Sequence, residues 1–492
     1  MRIIKKTLIC ILAAYGLAAT DAQADETTKW PDILVLNITT EDGAFPTCDV
    51  VYPPEGCVGT GITNAEYVAG RLVMTLNGDT LYDTGDYIKD ESGMRIKIRG
   101  NSTGAVDGQK PYKIKLSKKF DMLRRGDNDY KEKDWNMLRI STWNPGLNNA
   151  ENNILTVLGF IISEAVGMEW TPGYTFVNLV MNGKYMGLYY LTDAVERGDK
   201  RVDIKKSGYL IESDAYYWNE DVSFKTNHQP TELGYTYKYP DSDDVDEQTT
   251  QKIQDYLNEF EDVLYSGEGD VSEYIDLSMF ARWILAQDIM NMGDVLGTNM
   301  YIYKYDFDEE SPTSTKLKMG PLWDFDTVFK YPEQSDDWSA IHNGTYFYWQ
   351  ELFKRPDFIN EYINVWNEVK GSLLDNVVNG FDKLKTTYGN SLAESMELHK
   401  TIYPEECKNT LQEQIDELTE KIEDRIDVLD VLTRQLYESS GIESTVTSDE
   451  AQPVSVSDIY GIRYNTSNVD MLPKGVYIVK YSNGTAKKIL KK

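Results

Sequence analysis

Four residues separate Asp294 from Asn299, and Trp323-Asp324-Phe325-Asp326 follows about 25 residues later. A carboxylate, a carboxamide and a second acidic pair supply the oxygen ligands that hold Mg²⁺ against nucleotide phosphates. Asp294 suits the acceptance or orientation of a hydroxyl proton, and the Asn299 amide oxygen suits a metal ligand. Asp324 and Asp326, two residues apart, are placed to share a cation, or one ligates while the other fixes its geometry. Trp323 and Phe325 interleave with these acids, which a merely solvated acidic loop does not require. Taken alone, Asp294 and Asn299 also fit a turn held by local backbone hydrogen bonds. The three histidines, His228, His342 and His399, are too scattered to suggest a metal site, so carboxylates are the candidates for chemistry.

A phosphate needs positive partners. Arg99-Gly100-Asn101-Ser102-Thr103-Gly104 closes one strand-like run and precedes another. Its glycines would let backbone N–H groups approach a phosphate, and Arg99 adds charge. An ordinary glycine-rich turn is the alternative. Lys110, Lys113 and Lys115 come next, and a lysine on a strand behind such a loop neutralises α- or β-phosphate oxygens.

The elements that must position these residues are legible as patterns. Residues 31 to 120 carry short β-rich runs at Ile33–Leu36, Arg71–Leu76, Met94–Ile98 and Tyr112–Leu116, the last with one wet face. Apolar spacing predicts a helix over Asn149–Val166. Asn182-Gly183 between two apolar runs predicts a hairpin. A further strand pair is expected near Tyr209–Ile211 and Tyr235–Tyr239. Helices are expected through Ile253–Leu264, from an Asp276 or Ser278 cap to about Met292, from Pro356, and over Glu405 to about Tyr437. Ser- and acid-rich residues 438–454 read as a linker, and 455–492 as a small β tail.

The 492 residues allow two or three domains, and 41% hydrophobic content implies a packed body. Fifty basic against 80 acidic residues leave a net charge of −30. That charge disfavours nucleic acid and anionic membrane as partners, and obliges a polyanionic substrate to bring a metal or meet a local basic patch. Arg2, Lys5 and Lys6, the apolar stretch Leu8–Ala19 and Ala22-Gln23-Ala24 read as a signal peptide over residues 1–24, so export is expected, with no integral membrane segment. Export exposes cysteines to oxidation; Cys48 and Cys57 are a plausible disulfide, and Cys407 is left over on the expected helix as a buried free thiol.

As a set, these features resemble the CotH-type spore-coat kinases, an atypical, protein-kinase-like family. The markers are Arg99-Gly100-Asn101-Ser102, Lys110-Pro111-Tyr112, Asn182-Gly183 with Gly187-Leu188-Tyr189, Gly208 to Glu212, Lys238-Tyr239-Pro240-Asp241, Asp294 to Asn299 with Tyr301, the Trp323–Asp326 run, and Arg355–Phe358 with Trp366. The resemblance implies an α+β, two-lobed protein-kinase-like fold, with a β-rich N-lobe and a helical C-lobe. Its domain would span 91–440, after a β-rich segment 25–90. It implies Mg²⁺ (or Mn²⁺) and ATP, and phosphoryl transfer to Ser or Thr of a protein acceptor. Asp294 would be the catalytic acid and Asn299 and Asp324 metal ligands, with Asp326 as the second claimant. Lys110 would be the phosphate lysine, with Lys115 second, beside Arg99, Gly100, Asn101 and Ser102. Departures from the family pattern are Met292-Gly293 before Asp294, Asn152 where Arg is expected, and Asp193 where Glu is usual. Leu472 to Val479 and the terminal lysines resemble a type IX secretion sorting domain, which implies export machinery and the periplasm or surface of a Gram-negative cell.

Two other readings compete. The 34 Tyr and 10 Trp fit a cell-surface binding or structural protein, such as a glycan-binding one, on an inactive kinase-like scaffold. The acids alone also fit a carboxylate-based glycosidase.

Overall fold

The computed structural model describes residues 30–143, 151–292, 299–329 and 347–440, together with 453–458, 463–464, 472–473, 475–481 and 486–491. The chain divides into two compact units, residues 1–437 and 438–492.

Eight strands form in the first 160 described positions, several from apolar–polar alternation and the last two from runs buried on both faces. They are β1 (Leu34–Thr40), β2 (Val68–Leu76), β3 (Asp79–Asp83), β4 (Met94–Ile98), β5 (Tyr112–Phe120), β6 (Glu132–Arg139), β7 (Tyr174–Met181) and β8 (Lys184–Asp193). They hydrogen-bond in the order β1-β7-β8-β6-β5-β4-β2, and β2 returns to β1, so seven strands close into a barrel while β3 hangs on β2. The β1–β7 pairing is parallel, with Leu36 opposite Leu179; the other barrel pairings are antiparallel. Gly70 is where β2 passes from β4 to β1: a Cβ there would lie 2.5 Å from the Thr39 carbonyl oxygen. Leu36, Leu72, Ile96, Ile114, Trp135 and Leu179 fill the interior. Closure leaves the barrel no open edge through which to pair. The Asn182-Gly183 hairpin forms as expected, with φ of 51° and 77°.

The mixed α+β character is as read, but the β-rich region is a closed barrel, where a two-lobed kinase-like arrangement had been expected. The closure comes from the parallel β1–β7 contact, which joins segments 140 residues apart and has no local signature. Strands on both sides of residue 90 share the barrel, so a boundary at 90 falls inside one sheet.

A second sheet follows. It contains β9 (Tyr209–Asp214), β10 (Ser223–Phe224), β11 (Gly234–Tyr239), β12 (Met300–Lys304) and β13 (Leu317–Met319), in the antiparallel order β10-β11-β9-β12-β13.

Helices α1 (Leu155–Ala165), α2 (Glu247–Ser266), α3 (Leu277–Ile289), α4 (Pro356–Val369), α5 (Leu373–Lys400) and α6 (Leu411–Ser439) complete the first unit. Asp246 caps α2 and Asp276 caps α3, each accepting a backbone N–H three residues on. Two starts differ from the sequence expectation. α1 begins at Leu155, because Glu151 and Asn152 pair with Trp143 and Thr142. α6 begins at Leu411 rather than Glu405, because Thr410 and Glu413 form a reciprocal capping box. Its stripe of Leu411, Ile415, Leu418, Ile422, Leu429, Leu432 and Leu436 is buried.

No disulfide joins Cys48 and Cys57. The Cys48 thiol faces the Gly104 carbonyl at 3.7 Å and the Cys57 thiol faces the Tyr217 hydroxyl at 3.5 Å, so the two point at different neighbours. Cys407 is free and buried, in the turn before α6 rather than on it. Burial beside Glu151 pushes its thiol pKa far up, which makes it unreactive.

The second unit is a four-stranded antiparallel sheet around Val456, Leu472, Tyr477 and Val479. No helix among the described residues is long and apolar enough to cross a membrane.

Candidate functional site

Asn299 and Asp324, 25 residues apart, meet in the fold: the Asn299 Nδ2 donates to Asp324 Oδ2 at 3.2 Å. Asn299 immediately precedes β12, and Asp324 lies in the loop that follows β13, the neighbouring strand of the sheet. Both adopt left-handed backbone, with φ of 59° and 60°, and Asn291 and Phe329 on either side of the site do the same at 44° and 51°. Such conformations cost about 1–3 kcal/mol each outside glycine and collect where geometry is held for function. Asn and Asp bear the cost better than Phe329, whose amide is tied to the Met290 carbonyl at 3.0 Å.

Packing of the flanking aromatics fixes the acidic loop. Phe325 is buried against α1, edge-on to Phe160 at 5.5 Å. It occupies the space that a side chain at position 159 would need, since a Cβ on Gly159 would lie 2.2 Å from the ring. Trp323 is buried beneath the Arg99 guanidinium, which lies 5.9 Å from the indole. The aromatics that interleave with the acids thus hold an exposed Asp324 and a half-buried Asp326 in place.

Arg99 reaches this site from the end of β4, where burial depresses its pKa against the opposing pull of Tyr301, Asp324 and Glu212. Gly100 turns the chain with φ 77°, into a single helical turn, Ser102–Ala105. Asn101 accepts from Asn219 at 3.4 Å. Lys110 does not face the acids: its ammonium donates to the Gly104 carbonyl at 2.8 Å and to that of Val106 at 2.5 Å, closing off that helical turn. Lys115 lies on the outer barrel face, 3.8 Å from Asp134, which also pairs with Lys113 at 3.2 Å. The structure therefore gathers Arg99, Asn299 and Asp324, and engages Lys110 and Lys115 elsewhere. Asp294 lies outside the described residues.

A cation with no sequence-assigned role stands nearby. Lys238 on β11 forms a 2.8 Å ion pair with Glu212 on β9, and Tyr301 is the cross-strand neighbour of Glu212 on β12. Burial alone would lower the lysine's pKa; Glu212, with Tyr301, Glu220 and Asp214, reverses that and holds the charge firmly. Asp214, two residues after Glu212 on the same strand face, is pushed up to about 7, first by burial and then by Glu212. Glu196, beside the barrel, is likewise raised to about 7 by burial and by Asp134, against the pull of Arg201. A strand alternation of Glu212-x-Asp214, read against a lysine on the paired strand, was the available signal for this cluster.

Among the described residues, no three of His, Cys, Asp and Glu gather closely enough to hold an ion unaided. The Asn299–Asp324 pair still suits a hard cation, because a half-turn of the carboxamide substitutes Oδ1 for Nδ2 beside the carboxylate. The arrangement thus offers oxygen ligands at one end and two fixed cations, Arg99 and Lys238, close by.

The family model of the CotH kinase protein matches residues 96–429, about two thirds of the chain, and the chain belongs to that family. Among curated proteins, none matches.

Proposed function

From that membership we propose that the chain is an exported phosphotransferase that moves the γ-phosphoryl group of Mg-ATP to a Ser or Thr hydroxyl of a protein. The observation that carries this reading is the meeting of Asn299 and Asp324 beside Arg99. Asn299 and Asp324, with Asp326, would hold a divalent ion, and that ion would neutralise charge on the phosphate oxygens. Arg99 and Lys238 would bind the remaining phosphate charge, with Glu212 fixing the lysine as an ion-paired carboxylate does. Lys238 takes here the part that the sequence suggested for Lys110 or Lys115, whose ammonium groups are engaged elsewhere. Asp294 would orient the acceptor hydroxyl and accept its proton. The hydroxyl oxygen bonds to the γ-phosphorus as the bond to the β–γ bridging oxygen breaks, and ADP leaves. Positioning and electrostatics supply most of the rate.

The signal-like residues 1–24 and the terminal β unit support an exported protein, with the second unit as its sorting tail. A two-lobed kinase-like layout would place the barrel on one side of the nucleotide and the helices on the other.

Incubation of the mature protein with Mg²⁺ or Mn²⁺ and γ-labelled ATP tests the reading. Label transfer to protein is expected, and its loss in Asp294→Ala, Asp324→Ala and Lys238→Met. No nucleotide binding and no label transfer in the parent would overturn it.

A further inference from the structure

Four cations stand together on the outer face of the barrel. The inward positions of β4 and β5 include Ile96, Ile98, Ile114 and Leu116, so alternation turns Arg95, Lys97, Lys113 and Lys115 outward. The register sets Arg95 opposite Lys115 and Lys97 opposite Lys113. Like charges directly opposite each other destabilise a strand pair. Composition does not account for two such pairs side by side, because the chain carries 80 acids against 50 bases.

Little of the protein neutralises this row. Asp134 lies 3.2 Å from Lys113 and 3.8 Å from Lys115. Arg95 and Lys97 form no ion pair among the described residues; their charged ends lie 5.1 and 5.0 Å from the Tyr67 ring. Burial, and then Lys113, pulls the Lys97 pKa down. Of the other acids whose charge reaches the row, Glu196 pairs with Arg201, and burial shifts Glu220 toward its uncharged form. All four cations are half-buried, so each keeps a face toward solvent.

The row leads to the candidate site. Arg99 prolongs the β4 pairing, its N–H bonded to the Pro111 carbonyl at 3.1 Å, and it carries the alternation past Lys97 to the Trp323 ring. Lys97 and Arg95 stand two and four residues before it, roughly 7 and 13 Å along the strand. The triphosphate does not need the row, since the divalent ion, Arg99 and Lys238 are set against its charge. A broad polyanion, such as nucleic acid or an anionic membrane, would meet the net charge of −30 on the surrounding surface. A short acidic segment of chain meets the row alone.

We propose that the outer face of β4 and β5 binds an acidic segment of the protein acceptor, with carboxylates about two to four residues from the hydroxyl that receives the phosphoryl group. Arg95 and Lys97 hold those carboxylates, and Lys113 and Lys115 add to the field. The position of the hydroxyl rests on the phosphotransfer reading; binding of the segment is measured without it.

The test uses the full chain and two fluorescein-labelled peptides that differ only in whether Glu or Gln flanks a single Ser. Fluorescence anisotropy without nucleotide reads binding. The Glu peptide should bind at least about tenfold tighter than the Gln peptide, and Arg95→Gln with Lys97→Gln should erase the difference. These substitutions relieve repulsion, so the urea midpoint should equal or exceed that of the parent. With γ-labelled ATP, the double variant should raise KM for the Glu peptide about tenfold and leave KM for ATP unchanged. Equal binding of the two peptides would overturn the inference. So would a raised KM for ATP, or displacement of the Glu peptide by ATP, either of which would give the row to the nucleotide. Absence of both label transfer and nucleotide binding would overturn the phosphotransfer reading instead, and anisotropy would still decide whether the face takes an acidic segment.

Discussion

The barrel and the second sheet are built from the same alternating strands but bury opposite kinds of residue. The barrel core is mainly apolar, its buried Asp193 is paired with Arg125, and several charges on its outer face neutralise each other in pairs, as Lys113 with Asp134 and Lys119 with Glu132. The second sheet buries Glu212 and Asp214 and wholly buries Lys304, whose pKa is lowered to about 8 chiefly by burial. Desolvated charge destabilises a fold unless it is paired, and here Lys238 pairs with Glu212 and Lys304 donates to Thr315. The difference assigns stability to one region and chemistry to the other.

That contrast breaks if substitutions in the two regions have the same effect. Asp324→Ala should lower phosphotransfer by at least about 100-fold while the melting temperature holds, measured by label transfer beside calorimetry. Trp135→Ala, in the barrel, should cost about 3–5 kcal/mol in urea unfolding and spare the rate of the protein that stays folded. Lys238→Met should do both, since it removes a phosphate-facing cation and leaves Glu212 buried without its partner, at about 3–5 kcal/mol. Gly159→Ala should cost about 1–3 kcal/mol and lower the rate, because the new methyl must displace Phe325 and with it Asp324. Lys110→Ala should lose about 1–2 kcal/mol of stability and leave nucleotide affinity unchanged.

A pH series sharpens the comparison with the smallest expected effect. Asp214 and Glu196 hold their protons up to about 7 in the folded chain, whereas an unfolded carboxyl loses its proton near 4. Between those values the folded state binds more protons, so their contribution to stability falls as pH rises through that window and is level above it. Urea midpoints across pH 4–8 should show this slope, and Asp214→Asn should reduce it. An unchanged slope would mean that the sheet does not bury this charge.

Much of the local structure was legible. Period-two runs found many of the strands though not β3 or β6, Asn182-Gly183 found the hairpin, and of the two candidate caps, Asp276 and Ser278, Asp276 starts α3. The proximity of Asn299 to Asp324 also followed from residue types and order. Other features were hidden. Lys110 looked free because sequence does not show that a side chain folds back onto its own turn. Cys48 and Cys57 looked paired because nine residues of spacing permit a bridge that their actual neighbours preclude. The helix α5 escaped notice because its apolar residues are interrupted and the helix is kinked at Gly389.

The sequence by itself determined which segments alternate, where α3 and α4 begin, and that oxygen ligands and cations, not histidines, are the reactive inventory. Those properties are set by neighbours within a few residues, through backbone hydrogen bonding and side-chain period. Only the tertiary structure decided that the strands close into a barrel, that Lys110 folds back onto its own turn, and that Lys238 pairs with Glu212 across the second sheet. Each depends on contacts between distant segments, where shape and desolvation rather than local propensity select the partner.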